Sequence, residues 1–202
     1  SGADLAELEA IAEMGIEESV EDAQRMGDLF VGIRTLQKPV IAAVHGKALA
    51  GGAGLATACD MILAHRDAVF GYPEVHLGFV PAMVMAILRR KLGEGRAFEL
   101  AAVGGRVDAT EAERIGLINR VVATEGDDAV EEFHATALDF ARDLATRPPS
   151  ALALTKRLLY GLDGTDFAEG IARGAEVNAI ARSTEACREG VRGFLDRPKR
   201  TD

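Results

Sequence analysis

Residues 38–64 read KPVIAAVHGKALAGGAGLATACDMILA, and this stretch decides the fold class. Proline disfavours helical geometry in the residue before it, so Lys38-Pro39 ends any preceding helix, and the apolar run at 40–44 predicts a buried strand. A glycine-rich connection follows. Residues 55–59 then predict the start of a buried helix, and residues 61–64 a second strand. Strand, helix and strand in this order indicate an α/β fold.

The sequence on either side extends this pattern. Upstream, residues 17–37 carry apolar side chains at spacings of three and four, which predicts an amphipathic helix. Downstream, residues 68–71 predict another strand, and the remainder is mostly helical apart from strand-like residues 117–122. We therefore expect an α/β core at 1–123 and a helical region at 124–202.

Composition and charge narrow the class of protein. The 202 residues are 48% hydrophobic and 27% charged, which is ordinary globular usage and enough for one domain with a helical appendage. The net charge of −9 argues against nucleic acid as a partner. Cys59 and Cys187 form no C-x-x-C pair, so reduced thiols in the cytoplasm are expected. No apolar run is long enough to span a bilayer, and we expect no membrane partner.

The glycines at 46–54 are the first candidate for chemistry. Glycines just before a helix let a ligand oxygen approach backbone amides at the positive helix end, so the loop could bind a phosphate or an oxyanion. The alternative is that they only allow a tight turn and close packing. A dinucleotide-binding fingerprint fits poorly, because Thr57 stands where its third glycine or alanine is wanted.

The second candidate is Glu74, which lies among apolar residues in the stretch FGYPEVHLG, residues 70–78. A buried Glu has a raised pKa and can carry protons near neutral pH, whereas the alternative is a surface Glu in a turn after Pro73. His76 is the nearest histidine, but no serine or cysteine nucleophile is spaced with it. The histidines show no metal-ligand spacing, so no metal site is expected.

Four separated motifs in order resemble the enoyl-CoA hydratase/isomerase, or crotonase, superfamily. They are residues 1–5 (SGADL), residues 38–46 with 50–55, residues 70–74 (FGYPE), and residues 104–119 ending in AERIGLIN. The resemblance implies a crotonase-like spiral of β-β-α units with a C-terminal helical oligomerisation region, assembled as a homotrimer or hexamer. It implies acyl-CoA thioesters as substrates, with coenzyme A as part of the substrate and no separate cofactor.

The same resemblance implies roles for individual residues. The backbone N–H groups of Ala3 and Gly51 correspond to the two oxyanion-hole donors for the thioester carbonyl, where losing one donor typically costs about 3–4 kcal/mol of transition-state stabilisation. Glu74 corresponds to a catalytic acid/base. The side chains or backbone expected around the substrate are those of Asp4, Leu5, Gly52, Tyr72 and His76.

The sequence departs from the family pattern at two places. Hydratases of the family use two glutamates, and the first of them falls on Gly54, which has no side chain; a single carboxylate is typical of double-bond isomerases. The strands that usually precede the Gly-Ala-Asp motif are also absent from this chain. Hydration and isomerisation therefore both stay open, as do an inert acyl-CoA-binding protein and a thioester hydrolase or carbon–carbon lyase.

Overall fold

The computed structural model describes residue 2, residues 13–124, residue 126 and residues 129–196. The described residues form two compact units. The first combines the chain up to Arg34 with Val40–Ala141, and the second combines Thr35–Pro39 with the chain from Arg142 onward. Among the described residues, no helix is both long enough and apolar enough to cross a membrane.

Helices and strands alternate in the first unit and helices make up the end of the chain. The helices are α1 (Ile16–Thr35), α2 (Gly51–Ala58), α3 (Ala82–Val103), α4 (Ala109–Arg114), α5 (Ala129–Ala145), α6 (Pro149–Gly161), α7 (Phe167–Ser183) and α8 (Glu185–Leu195). The strands are β1 (Ile41–Val44), β2 (Lys47–Leu49), β3 (Met61–His65), β4 (Val69–Gly71), β5 (Arg106–Asp108) and β6 (Arg120–Val122). A 3-10 turn, Pro73–Leu77, lies between β4 and α3.

The first sheet is parallel and has the order β1-β3-β6. Its central strand pairs with β1 in the register Ile41↔Met61 and with β6 in the register Leu63↔Arg120. Parallel neighbours need a crossover connection, and the chain supplies one through β2 and α2. This crossover fixes α2 beside the sheet.

The second sheet brings the glycine-rich loop next to the segment that carries Glu74. Its order is β2-β4-β5, with β2 and β4 parallel and β4 and β5 antiparallel. Ala48 pairs with Phe70 and Leu49 with Gly71. Directly after these pairs, the Ala50 N–H donates to the Gly71 carbonyl at 3.0 Å. The entrance of α2 and the residues just before Glu74 are therefore neighbours in the same hydrogen-bond ladder.

The core of the first unit draws on α1, α2, α3 and both sheets. Phe30 from α1, Ile62 from β3, Phe70 from β4 and Leu88 from α3 are buried in one cluster. Leu63, Val122 and Phe133 form a smaller cluster that attaches α5 to the other side of the parallel sheet. Burial of such side chains contributes about 1.5–3 kcal/mol each, so these contacts hold the site's scaffold.

The predicted strands and helices are largely confirmed, with three differences. The helix predicted from 55 begins earlier, at Gly51. The strand predicted at 117–122 is limited to β6. The short strands β2 and β5 were not predicted, because three residues carry too little alternation to reveal a strand, and pairing with β4 is what orders them.

The division predicted between residues 123 and 124 differs from the limits of the compact units. Phe133 is fully buried against Leu63 and Val122, so the first part of α5 belongs to the first unit. Compactness describes packing and not the boundary of a domain, so the predicted division stays a prediction.

Candidate active site

The chain enters α2 through a strained residue. Ala50 has φ 47° and ψ −123°, and it is the one non-glycine residue with positive φ in the described part of the chain. Such a conformation costs an L-residue about 1–3 kcal/mol and persists only where neighbours enforce it. Here the Ala50 N–H donates to Gly71, and the Ala50 carbonyl accepts from the Gly54 N–H at 2.9 Å.

This entrance leaves the first amides of α2 available. Gly51 and Gly52 are the first two residues of the helix, and no described residue accepts a hydrogen bond from their N–H groups. The N-terminal end of a helix carries partial positive charge, which favours a negative ligand atom there. The geometry therefore suits an oxygen that carries or develops negative charge.

The first sequence motif lies against the same entrance. An ideal Cβ built on Gly2 would lie 3.3 Å from the Leu49 carbonyl oxygen and 3.9 Å from the Ala50 Cβ. Gly2 is thus packed on the two residues that precede α2. Ala3, Asp4 and Leu5 lie outside the described residues, so their proposed roles stay predictions.

Glu74 lies in the 3-10 turn and is partly buried. Its Oε2 is buried and has no hydrogen-bond partner among the described residues. Burial raises the pKa of the Glu74 carboxyl, while a hydrogen bond from its own backbone N–H lowers the pKa by less. A carboxyl with an uncommitted oxygen and a raised pKa is suited to accept and return a proton.

Tyr72 joins the Glu74 segment to α2. Its hydroxyl lies 2.6 Å from Thr57 Oγ1, and both side chains are fully buried. Burial raises the pKa of the Tyr72 phenol, the hydrogen bond from Thr57 opposes this, and the nearby Glu74 adds to it. The phenol therefore stays protonated, and its hydroxyl serves the contact with Thr57; its predicted contact with substrate stays a prediction.

His76 holds the turn against the end of α3. Its Nε2 lies 3.2 Å from the Gly104 carbonyl oxygen. Gly104 has φ +63°, and an ideal Cβ there would lie 2.8 Å from that nitrogen and 2.7 Å from Val75 Cγ1. Only glycine fits this close approach, so Gly104 and His76 together set the position of the residues around Glu74.

Position 54 is filled from another helix. An ideal Cβ on Gly54 would lie 3.1 Å from Phe30 Cζ and 3.8 Å from Val84 Cβ. The place where the family resemblance puts a second glutamate therefore borders an aromatic ring from α1 and a valine from α3. Phe30 belongs to the apolar stripe predicted for residues 17–37, but spacing alone could not reveal which residue its ring contacts.

Some contacts involve residues whose spacing gave no signal. In the sequence, Thr57 stands out only as a mismatch to a nucleotide-binding pattern. His45 Nδ1 and His134 Nε2 lie 3.2 Å apart although they are far apart in sequence. Within the described part of the chain, no group of three or more His, Cys, Asp or Glu residues could hold a metal ion.

The sequence profile described as "Enoyl-CoA hydratase/isomerase" matches residues 1–201. The chain belongs to the enoyl-CoA hydratase/isomerase family. A "Putative enoyl-CoA hydratase" of Thermus thermophilus is 43% identical over 201 residues, which are 99% of this chain and 77% of the relative. The "Short-chain-enoyl-CoA hydratase" of Clostridium acetobutylicum is 33% identical over 98% of this chain and 73% of its own length.

Solved structures of the family show the same fold. The crystal structure of an enoyl-CoA hydratase from Mycobacterium smegmatis superposes with a TM-score of 0.85 at 33% identity, covering 97% of this chain and 73% of that one. An enoyl-CoA hydratase from Bacillus anthracis gives 0.86 at 30% identity, with the same two coverages. The predicted family and crotonase-like α/β fold are confirmed, and the enoyl-CoA hydratase/isomerase family is a family of enzymes acting on acyl-CoA.

Proposed function

We propose that this enoyl-CoA hydratase/isomerase family member moves a proton on an enoyl-CoA thioester, with Glu74 as its acid/base. The observation that carries the proposal is the uncommitted, buried oxygen of Glu74. The Tyr72–Thr57 hydrogen bond ties the segment of this carboxyl to α2, whose first amides are free of partners among the described residues. A proton acceptor and an oxyanion site thus belong to one connected unit.

The reaction that fits these groups is double-bond isomerisation. The thioester oxygen of a 3-enoyl-CoA accepts hydrogen bonds from the Gly51 N–H and from Ala3, the second proposed donor. Glu74 removes a proton from C2, and the electron pair forms an enolate stabilised at that oxygen. The C3–C4 double bond moves to C2–C3 as C4 takes the proton back from Glu74, so no atom is gained or lost.

Hydration is the second candidate, because the relatives from Thermus and Clostridium are named as hydratases. Gly54 supports isomerisation over hydration, since the space beside it is filled by Phe30 and offers no polar side chain to hold water. One Glu can in principle both activate water and return its proton, so the two reactions need a direct comparison.

The test measures both reactions on the purified full chain. With crotonyl-CoA, hydration is measured as a loss of the absorbance of the conjugated enoyl thioester. With a 3-enoyl-CoA, isomerisation is measured as a gain of the same absorbance. We expect isomerisation to dominate and Glu74→Gln to lower it by about 10²–10⁴-fold, whereas Glu94→Gln, an exposed Glu on α3, leaves it unchanged. Turnover that survives Glu74→Gln, or no acyl-CoA binding by the wild type, would contradict the proposal.

We propose a homotrimer or hexamer because of the exposed apolar side chains on two helices of the second unit. Neither α7 nor α8 has a buried residue, yet both carry large apolar side chains, with Phe167 85% and Phe194 71% exposed. Large exposed apolar side chains, where they form a patch, are typical of surfaces that another protein copy covers. Sedimentation should give three or six times the chain mass of 21.4 kDa, and a monomer would contradict the proposal.

Cytoplasmic location and the lack of a separate cofactor also belong to the proposal. Cys59 and Cys187 are not disulfide-bonded, which suits a reducing compartment. The proton transfer described above needs no group beyond Glu74 and the amides. Activity of protein dialysed against a chelator tests the second point, because a fall in turnover would reveal a required metal.

A further inference from the structure

We propose that Phe30 determines the reaction specificity of this site by filling the space that a side chain at position 54 would need. The inference rests on the proposed acyl-CoA chemistry at Glu74. It concerns a residue of α1, a helix that contributes none of the proposed acid/base or oxyanion groups.

Gly54 lies in sequence between the two residues of α2 that belong to the proposed site. Gly51, Gly54 and Thr57 follow each other at intervals of three, so neighbouring members share one side of the helix. Thr57 is hydrogen-bonded to Tyr72, which leads to Glu74, and Gly51 supplies the proposed oxyanion donor. Position 54, between them, is therefore where a side chain from α2 would enter the same space.

A side chain at position 54 would press on the Phe30 ring. Its Cζ and Cε2 would lie 3.1 and 3.7 Å from a Cβ at position 54, and the ring is only 6% exposed. The first distance is shorter than ordinary van der Waals contact, and a glutamate would extend several atoms further in the same direction. Interiors are close-packed, so the ring can yield only by displacing its neighbours.

The chemical consequence is an apolar wall. A water held for attack on a double bond needs two to four polar partners. The side chains that border position 54, those of Phe30 and Val84, provide none. Proton transfer between carbons by Glu74 alone needs no such water. Phe30 thus favours isomerisation by keeping a second polar group, and the water it would hold, out of the site.

The test uses the full chain in four forms besides wild type: Gly54→Glu, Phe30→Ala, Phe30→Ala with Gly54→Glu, and Leu29→Ala with Gly54→Glu. Leu29 is the matched control, since it neighbours Phe30 on α1 but is 48% exposed. We expect Gly54→Glu to lower the melting temperature. Measured against the Phe30→Ala single variant, adding Gly54→Glu should lower the melting temperature by at most half of what it does in wild type, because Phe30→Ala carries its own cavity cost. The Leu29→Ala double variant should be no more stable than Gly54→Glu alone. We also expect the ratio of hydration to isomerisation to rise at least tenfold in the Phe30 double variant relative to wild type.

Each contrary outcome has a definite meaning. An unchanged melting temperature in Gly54→Glu, or an equal loss when Gly54→Glu is added to Phe30→Ala, overturns the claim that Phe30 fills this space. A smaller loss in the Phe30→Ala background with an unchanged ratio of reactions overturns the specificity role and leaves Phe30 as a packing residue. A wild type that neither binds nor converts acyl-CoA overturns the proposed function, and with it the specificity role. The melting temperatures separate that result from a failure of the Phe30 contact itself.

Discussion

Glu74 combines two properties that have opposite effects on the folded protein. Burial that raises its pKa makes proton transfer possible, but the same burial makes its ionised form unfavourable in the folded state. The pKa of Glu74 is higher in the folded state than in the unfolded state. At low pH the carboxyl is neutral and folding carries no such cost, and the protein loses stability as pH rises through the folded-state pKa. The wild type therefore carries a stability cost at neutral pH.

Replacing Glu74 by Gln should remove this cost. We expect the melting temperature of Glu74→Gln to exceed that of wild type by about 1–2 °C at about pH 7.5, a modest shift because the carboxyl is partly solvated. The difference should fall as pH is lowered and disappear below about pH 3, under the pKa of a glutamate in the unfolded chain. Differential scanning fluorimetry at both pH values measures it, and a difference independent of pH would show that burial of the charge is not its cause.

The Tyr72–Thr57 hydrogen bond is a second residue-level target. Tyr72→Phe leaves the buried Thr57 hydroxyl unpaired, so we expect a loss of about 1–3 kcal/mol in the free energy of unfolding. Adding Thr57→Val should cost less than the sum of the two single changes, because no polar group is then left without its partner. Urea unfolding of the two single variants and the double variant measures this, and simple additivity would argue against a direct bond.

Sequence indicated some of these residues and not others. Glu74 stood out because a carboxylate among apolar residues is unusual, and the family motif supported it. The partners Thr57 and Phe30 could not be assigned, because their contacts depend on how α1 and α2 are rotated against the Glu74 segment. Side-chain rotation about a helix axis is a tertiary property that apolar spacing indicates only for the core-facing stripe.

The entrance to α2 shows how one element is shaped for the site. Ala50, the residue just before α2, adopts a backbone conformation that glycine adopts without strain, whereas α2 itself is ordinary helix. The strain is maintained by the ladder to Gly71 on one side and by the helix on the other. We interpret it as the structural cost of aiming the Gly51 amide outward.

Ala50→Gly should therefore stabilise the protein. We expect a gain of up to about 1 kcal/mol in the free energy of unfolding, since relief of strain exceeds the extra entropy of glycine in the unfolded chain. Ala53→Gly is the matched control within α2, and it should destabilise by about 1 kcal/mol because position 53 is helical. Chemical unfolding compares them, and destabilisation by both changes would mean that Ala50 is not strained.

Elements with a strong pattern were predictable from sequence, and elements that depend on a partner were not. The apolar stripe of α1 and the run of β1 are properties of the segments themselves, and both were found within about two residues, the usual accuracy of such boundaries. In contrast, β2 and β5 have three residues each and owe their strand conformation to β4. The 3-10 turn at Glu74 depends similarly on the packing of His76 against Gly104.

At the scale of the molecule, the second unit is assembled from two separate stretches of chain. Lys156 on α6 is 7% exposed, and its Nζ donates to the Lys38 carbonyl at 3.0 Å. This contact attaches Thr35–Pro39 to the helices that follow Arg142. The sequence predicted the C-terminal helices and the end of the first helix at Lys38-Pro39. It did not indicate that the residues around Lys38 pack in the same unit as those helices.

Lys156→Met should weaken this attachment. We expect a loss of about 1–2 kcal/mol in the free energy of unfolding, because the Lys38 carbonyl loses a charged donor. Arg157→Met is the control, since Arg157 is the next residue of α6 and is exposed. Urea titration distinguishes the two, and equal effects would show that the change reflects loss of positive charge and not of the contact.

The link between Lys38 and Lys156 also has a consequence for the time course of synthesis. The two residues are 118 positions apart. At about 5–20 residues per second, a ribosome needs about 6–24 seconds to reach the codon for Lys156 after that for Lys38. Over that interval the nascent chain contains Thr35–Pro39 but not yet the helix that packs against it. A ribosome that stalls between the two codons would therefore carry a nascent chain whose second unit cannot be completed.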